Sequence, residues 1–325
     1  MTNTTVNTTE NKEVLILNEA FESLVAKANE IQSKCSDRLV NACDIRMDND
    51  LNLDGNPLSQ LATGHLCGKL KVPSRYFTRL VDAGQKELAA ENINIWLEDD
   101  ARKFLLREYD GRIRGVLSGS YSVYDAPEIL KTVAEVFDPN EFKLKGSFIN
   151  EERLHVRLCE TKMMDIDGED LFAGITLDSS DVGRAGLSVK FFIWKQVCTN
   201  GLVIAKSLAQ LFKQKHIGIT SEDFAEGLRE GLEIFHELKA EIAASINETR
   251  QIPLKEDIEE LIEDIQNKTA LSEESAYEVL NLVDKNYKRN QWGLINGITE
   301  IAQQFTLERR IELETIAGNM LRLPA

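Results

Sequence analysis

The chain of 325 residues has no run of about 18 consecutive apolar residues, which is the length that a membrane-spanning helix needs. Its first dozen residues, MTNTTVNTTENK, have no apolar segment behind a basic flank and so do not resemble a secretory signal. Their polar composition predicts a disordered tail over residues 1–12. The five cysteines are scattered and include no CxxC pair, which argues against a disulfide framework or a zinc site. These absences together predict a cytoplasmic protein with free thiols.

Motifs for nucleotide chemistry are absent, because no glycines are spaced as GxxxxGK[ST] or GxGxxG. Residues 50–55, DLNLDG, begin like a calcium loop, but Leu61 stands where such a loop needs a glutamate, so a turn is predicted. Cys198, at a predicted strand-to-helix junction, would suit a nucleophile with His155 as its base. Nothing resembles an oxyanion-stabilising element, however, and a structural turn with a buried thiol is favoured there. We therefore expect no catalytic residue, no cofactor and no metal site.

The charge of the chain is strongly acidic, with 38 basic and 54 acidic side chains and a net charge of −16. This balance argues against a protein that coats duplex DNA by charge alone. The deficit is uneven: residues 101–216 hold 17 basic and 16 acidic side chains, and residues 217–325 hold 11 and 22. A local basic face in the middle of the chain therefore remains compatible with the overall acidity.

The hydrophobic pattern predicts an α+β protein. Residues 92–199 alternate as strands, interrupted by a helix over 126–137 that has Asp125 as its N-cap. A further helix is predicted over residues 202–211. After residue 217 the apolar residues recur at helical spacing, with Thr220 and Asp223 forming a capping box. We expect a tail (1–12), an α+β domain with a mainly antiparallel sheet and packed helices (13–216), and an acidic helical bundle (217–325).

One hairpin is predicted with its register. Asp110 and Gly111 favour a two-residue turn, which places Arg107 opposite Arg114. The same face would carry Lys103, Tyr109 and Arg112, and the core-facing side would carry Phe104, Leu106, Ile113 and Leu117. Two like charges across a ladder cost stability unless an anion lies over them. The alternative is a solvated face, with the arginines splayed apart or paired to carboxylates.

Two further strands present cations or aromatic rings on one face. Arg153, His155 and Arg157 alternate with apolar residues, and Lys190 and Trp194 share one face of the strand at 188–197. Cations suit phosphates and ring faces suit bases, so these faces predict a nucleic-acid platform. The predicted contact residues are Lys103, Arg107, Tyr109, Arg112, Arg114, Arg153, His155, Arg157, Lys190 and Trp194. The sequence leaves open whether the three faces lie on one side of one sheet.

Five motifs follow one another in an order that resembles a known family. They are VPSRY (72–76), IRGVLS (113–118), FAGI (172–175) with SSDVG (179–183), VCTNGL (197–202) and WGLINGIT (292–299). They are similar to the phage- and plasmid-like family catalogued as domain of unknown function 932. The resemblance implies a mobile-element origin, with the host cytoplasm as the location, and it implies no settled activity.

The functional expectation combines these observations. A sheet with packed helices, followed by acidic helices, is also the outline of phage single-strand annealing proteins. We expect a non-enzymatic protein that binds single-stranded DNA in recombination or replication, alone or as a homo-oligomer. The alternative is an interaction protein that inhibits or redirects a host factor, because strong acidity can mimic the charge of DNA.

Overall fold

The structure is a computed structural model that describes residues 8–164, 166, 168–195, 200–204, 210–214 and 220–321. The helices are α1 (Thr8–Ser33), α2 (Gln60–Lys69), α3 (Ser74–Asp82), α4 (Lys86–Glu98), α5 (Ala126–Val136), α6 (Ser221–Arg250), α7 (Ile258–Thr269), α8 (Glu273–Asn286), α9 (Gln291–Ile301) and α10 (Leu307–Asn319). The strands are β1 (Cys35–Asn41), β2 (Asn52–Leu53), β3 (Asn56–Pro57), β4 (Lys103–Tyr109), β5 (Arg112–Ser118), β6 (Phe142–Ile149), β7 (Leu154–Met163), β8 (Leu171–Ser179), β9 (Leu187–Lys195), β10 (Asn200–Ile204) and β11 (Gln210–Gln214). Among the described residues, no helix is long and apolar enough to cross a membrane.

A small sheet has the strand order β1-β4-β5, and both of its pairings are antiparallel. Its apolar core includes Phe104 and Leu106 of β4 and buried side chains of α2, α3 and α4. The tight turn at Asp110 (φ 50°) and Gly111 (φ 76°) confirms the predicted two-residue hairpin connection.

A large sheet has the strand order β10-β9-β8-β7-β6, and β11 also pairs with β9. Every pairing in it is antiparallel. Leu154, Val156 and Leu158 of β7 point into the main core, as their alternation predicts. The two sheets and the helices around them confirm the α+β class with antiparallel pairing.

The C-terminal helices share their core with the large sheet. Phe191 of β9 packs against Phe235 of α6 with ring centroids 5.0 Å apart, and Leu313 and Ala317 of α10 belong to the same buried cluster. The apolar core is thus continuous across residues 216 and 217, where the sequence suggested a boundary. The separation between cores lies instead between the small sheet and the rest, because the large sheet offers an apolar face that the helices can cover.

Two local predictions are wrong. A helix was expected over residues 202–211, but its described parts belong to β10 (200–204) and β11 (210–214), which pair along the free edge of β9. Short apolar stretches fit either structure, and an unpaired strand edge decides between them. The predicted tail 1–12 also differs, because α1 begins at Thr8 and anchors itself in the main core through Leu24 and Ala28. Residues 1–7 lie outside the described residues.

The predicted helix starts at Asp125 and Thr220 are confirmed. Thr220 and Asp223 exchange the two hydrogen bonds of a capping box. Asp125 occupies the N-cap position of α5, but its side chain makes no capping hydrogen bond. Its carboxylate instead accepts two hydrogen bonds from Arg107.

Candidate functional site

The β4–β5 hairpin has a bulge that the sequence did not reveal. Tyr109 pairs with Arg112 as predicted, but the register shifts by one residue, and Arg107 then lies opposite Gly115 instead of Arg114. Arg114 is the extra residue of the bulge. Leu117 therefore faces Leu105 on the side of Arg107, not on the predicted core-facing side with Phe104.

The prediction that Arg107 and Arg114 share an exposed face is wrong, because both side chains are fully buried. Arg107 Nη1 and Nη2 donate to the two carboxylate oxygens of Asp125 at 2.6 and 2.5 Å. Its Nε donates to Asp37 at 2.9 Å, and its Nη1 also donates to the backbone carbonyl of Asp181 at 2.6 Å. Arg107 is therefore paired to carboxylates, which was the alternative to an open DNA-binding face.

Arg114 is less well satisfied than Arg107. Its Nη1 donates to the backbone carbonyl of Glu151 and lies 3.7 Å from Asp181 Oδ2. Its Nε and Nη2 make no hydrogen bond, and neither does Asp181 Oδ1. Burying polar atoms that make no hydrogen bond costs free energy, and the cost is larger when the groups are charged, as in this guanidinium and this carboxylate.

We call this group of side chains the ionic junction, because its ion pairs connect the small sheet with the segments that precede α5 and follow β8. Its members are Asp37, Arg107, Arg114, Asp125 and Asp181. Burial, helped by the negative charge of Asp125, raises the pKa of Asp181 to about 7. The positive charges of Arg114 and Arg107 act in the opposite direction and are outweighed.

The junction is also where two of the family-like motifs meet. Gly115, in the 113–118 motif, packs against Val182, in the 179–183 motif, so closely that a Cβ at Gly115 would lie 3.3 Å from the Val182 side chain. Gly183 takes a positive φ of 76° beside Leu117, and a side chain there would be strained. The two motifs thus build the contact between the sheets.

The other hairpin residues remain at the surface. Lys103 is exposed and Tyr109 is half-buried. Arg112 is exposed and pairs with Glu151 at 3.1 Å. They belong to the small sheet, whereas the other predicted cations belong to the large sheet.

A second charged network runs along β7. Arg153 donates to Asp178 Oδ1 at 2.7 Å, and His155 Nδ1 lies 3.0 Å from the same oxygen. Arg157 Nε donates to His155 Nε2 at 3.0 Å, and both Nη atoms of Arg157 donate to Glu314 of α10. His155 and Arg157 are buried, so the prediction of an open basic face on this strand is wrong for these two residues.

Burial sets the protonation states in this network. Burial lowers the pKa of His155, outweighing the attraction of Asp178, so the neutral imidazole is favoured. Burial by itself would raise the pKa of Asp178, but the hydrogen bonds from His155 and Arg153 and the positive charge of Arg153 hold it well below its usual range. In this network Arg153 and Asp178 form an ion pair, and the neutral His155 links Asp178 to Arg157.

The register of the large sheet shows that the polar faces of β7 and β9 lie on the same side. Arg157, Thr176 and Lys190 lie in one row across β7, β8 and β9, and Cys159, Gly174 and Phe192 lie in the next. The faces of β7 and β9 are therefore on the same side of one sheet, which we call the second face. The hairpin is in the other sheet.

One end of the second face is open. Phe172 and Trp194 are half-buried neighbours with ring centroids 5.5 Å apart. The exposed Lys145 places its Nζ 4.0 Å from the centre of the Trp194 ring. Met163, paired with Phe172, is 59% exposed. We call Lys145, Met163, Phe172 and Trp194 the aromatic–lysine patch.

Sequence reasoning missed the carboxylates that neutralise the cations. Asp125 is 18 residues from Arg107, Asp178 is 23 from His155, and Glu314 is 157 from Arg157. No local spacing links partners so far apart. Cys198 lies outside the described residues, and within the described part of the chain no group of three or more metal-ligating side chains is arranged to hold an ion.

No curated protein and no solved structure matches the chain, whereas a family model does. The family model for a domain of unknown function, DUF932, matches residues 114–322, which include Arg114, Asp125 and Asp181 of the ionic junction and the whole large sheet. The match spans well over half of the chain, and the protein therefore belongs to the DUF932 family.

Proposed function

We propose that this protein binds single-stranded DNA without catalysing a reaction, and that it does so at the aromatic–lysine patch. The observation that carries the proposal is the pair of half-buried rings, Phe172 and Trp194, with the Lys145 ammonium 4.0 Å from the Trp194 ring centre. Exposed ring faces next to cations are the means by which proteins hold single strands independently of sequence.

The chemistry of the patch matches the two parts of a nucleotide. A base stacked on Trp194 would replace the Lys145 ammonium on the indole, and the displaced ammonium would then be near the phosphate that follows. The register also places Lys143, Lys190 and Lys213 on the second face. Arg157, Thr176 and Phe192 are buried on the same face, so these lysines do not form one continuous open row.

The contact set differs from the one expected at the outset. Arg107, Arg114, His155 and Arg157 are engaged with carboxylates or with each other and support the fold. Lys190 and Trp194 remain as predicted contacts, joined by Lys145 and Phe172. Lys103, Tyr109 and Arg112 lie on the small sheet and would serve only a longer strand.

The biological setting of the proposal is recombination or replication on a phage or plasmid, in the cytoplasm of the host. Its support is the order of motifs that resembles phage- and plasmid-like proteins. Assembly into a homo-oligomer would align several patches along one strand and raise the affinity through effective concentration.

A salt titration tests the proposal. The full chain is mixed with a fluorescent single-stranded oligonucleotide and binding is followed by anisotropy, beginning at about 50 mM salt, where phosphate contacts are strongest. We expect binding that weakens with salt, with a slope of about −0.7 per phosphate contact on a single strand. Absence of binding at the lowest salt overturns the proposal.

A second candidate function is docking to another protein through α4. Leu88, Ile95 and Trp96 are 42%, 53% and 53% exposed, and their spacing places them on one helix face. Acidic side chains flank this stripe, as expected for a protein that redirects a host factor by mimicking DNA charge. A co-precipitated partner that survives nuclease treatment and is lost in Trp96→Ala supports this function; a partner that Trp96→Ala retains contradicts it.

A further inference from the structure

The strand β1 forms one edge of the small sheet, and in the described part of the chain β4 is its strand partner. Asp110 N donates to Lys34 O and Ala42 N donates to Arg102 O, and these two pairs continue the β1–β4 register at both ends. In an antiparallel ladder, hydrogen-bonded pairs alternate with pairs that are not hydrogen-bonded. The even-numbered residues of β1 therefore direct their backbone groups to β4. The backbone groups that point outward belong to Cys35, Asp37, Leu39 and Asn41.

The side chain of Leu39 ends an apolar row that crosses the small sheet. Leu39 faces Leu105 of β4, and Leu105 faces Leu117 of β5. Leu117 and Leu105 are 7% and 9% exposed, whereas Leu39 is 56% exposed. A groove of about 390 Å³ borders Leu39 and Asn41, so the described part of the chain leaves space beside this edge. An open strand edge with a large exposed apolar side chain is suited to pairing with another strand.

The charges on β1 limit how a second copy of the strand can pair with it. Outward backbone groups must face outward groups, so the two-fold axis of an antiparallel pair passes through a residue. An axis at Asp37 opposes two carboxylates, and an axis at Arg38 opposes two guanidiniums, which is unfavourable in both cases. An axis at Leu39 opposes the two leucines. It also sets Arg38 against Val40 and Asp37 against Asn41, with about six backbone hydrogen bonds between the strands.

Other positions of the axis are poorer. An axis at any other residue of the seven-residue strand pairs fewer of its residues than an axis at Leu39 does, and it leaves Leu39 without a leucine partner. The register centred on Leu39 is thus the one that avoids like charges, uses the outward backbone groups and covers the exposed leucine. This self-complementarity favours a second copy of the chain as the partner.

We infer that a second copy of this chain pairs with the open edge of β1, with Leu39 at the two-fold axis, to form a dimer. The two small sheets then become one six-stranded sheet with the order β5-β4-β1-β1-β4-β5. The leucine row runs across all six strands, and its two exposed ends bury each other. The inference goes beyond DNA binding and does not rest on it, because β1 belongs to the small sheet and the aromatic–lysine patch to the large sheet.

The oligomeric state of the full chain tests the inference. Light scattering after size-exclusion chromatography gives the mass at protein concentrations from about 1 to about 100 μM. We expect the wild type to have twice the mass of one chain. Leu39→Lys, which places a charge at the centre of the edge, should have the mass of one chain. A wild type that is monomeric at the highest concentration overturns the inference, and so does a Leu39→Lys variant that remains dimeric.

Leu88→Lys is the matched control. Leu88 is 42% exposed on α4, so this variant introduces the same charge at another exposed leucine. It should remain dimeric, since α4 contributes nothing to the edge of β1. A monomeric Leu88→Lys variant would place the interface on α4 and contradict the inference.

A cysteine cross-link tests the register and does not depend on whether Leu39→Lys folds. The thiols at and just beyond the ends of the edge are first removed by Cys35→Ser and Cys43→Ser. Leu39→Cys should then form a disulfide-linked dimer under mild oxidation, because the Cα atoms of a facing hydrogen-bonded pair lie about 5.5 Å apart. Asn41→Cys should form none, because the two copies of this residue would lie about 13 Å apart or more. Equal cross-linking of the two variants, or none in either, overturns the inference.

Discussion

Arg107 donates hydrogen bonds to both carboxylate oxygens of Asp125, 18 residues further along the chain, at 2.6 and 2.5 Å. Asp125 stands at the N-cap position of α5, yet its side chain makes no capping hydrogen bond and binds the arginine instead. A capping bond is worth about 1 kcal/mol, whereas an unpaired buried guanidinium costs several, so the pair with Arg107 prevails.

The first prediction concerns the two buried arginines. Arg107→Ala together with Arg114→Ala should lower the free energy of unfolding by several kcal/mol, because breaking a buried ion pair on one side costs about 3–5 kcal/mol. Urea denaturation measures the loss. Arg112→Ala, which removes the 44% exposed arginine of the same hairpin, should change stability by less than about 1 kcal/mol. A double variant as stable as the wild type contradicts the ionic junction.

The second prediction concerns Trp194. Trp194→Ala should weaken binding of a single-stranded oligonucleotide by about 1–3 kcal/mol if one base stacks on the ring. Trp96→Ala is the matched control, because Trp96 is 53% exposed on α4, whose buried side chains belong to the core of the small sheet. Anisotropy titrations of both variants at low salt give the result. Equal affinities for the two variants would place the DNA elsewhere.

The third prediction concerns Gly174 in the middle of β8. A Cβ there would lie 2.3 Å from the carbonyl oxygen of Leu158 on β7, so Gly174→Ala should destabilise by about 1–3 kcal/mol or more as the strands are forced apart. Gly64→Ala on α2 is the control. It meets nothing within 4 Å and should stabilise by up to about 1 kcal/mol, because alanine is the better helix former. Thermal melts that move both variants in the same direction contradict this prediction.

The fourth prediction concerns acid stability. The hydrogen bonds from His155 and Arg153 and the positive charge of Arg153 outweigh burial and lower the pKa of Asp178 from its ordinary 3.8. A lowered carboxyl pKa contributes stability that is complete above the unfolded value and is lost as pH falls through the folded value. The free energy of unfolding should therefore decrease below about pH 4, and Asp178→Asn should show a shallower decrease. Parallel slopes for the two proteins, measured by urea denaturation at several pH values, would assign the acid sensitivity to other groups.

Several elements were predictable because they depend on neighbours in the chain. The turn at Asp110 and Gly111 requires positive φ at both positions, and the sequence supplies residues that tolerate it. The alternation of β7 orients Leu154, Val156 and Leu158 into the core whatever lies on the other side. The capping box at Thr220 and Asp223 consists of hydrogen bonds between residues three apart, so it also depends only on the local sequence.

The environment of the charges was decided only by the tertiary structure. The sequence determined that Arg107, Arg114, His155 and Arg157 would occur on strands with alternating patterns, but not that Asp125, Asp178, Asp181 and Glu314 would be brought onto them from distant segments. The bulge at Arg114 and the pairing of β10 and β11 with β9 also depend on contacts between segments and not on the local sequence. The side of the sheet on which a side chain lies follows from the alternation of its own strand. Its burial and its oppositely charged partner depend on which other segments pack against that strand.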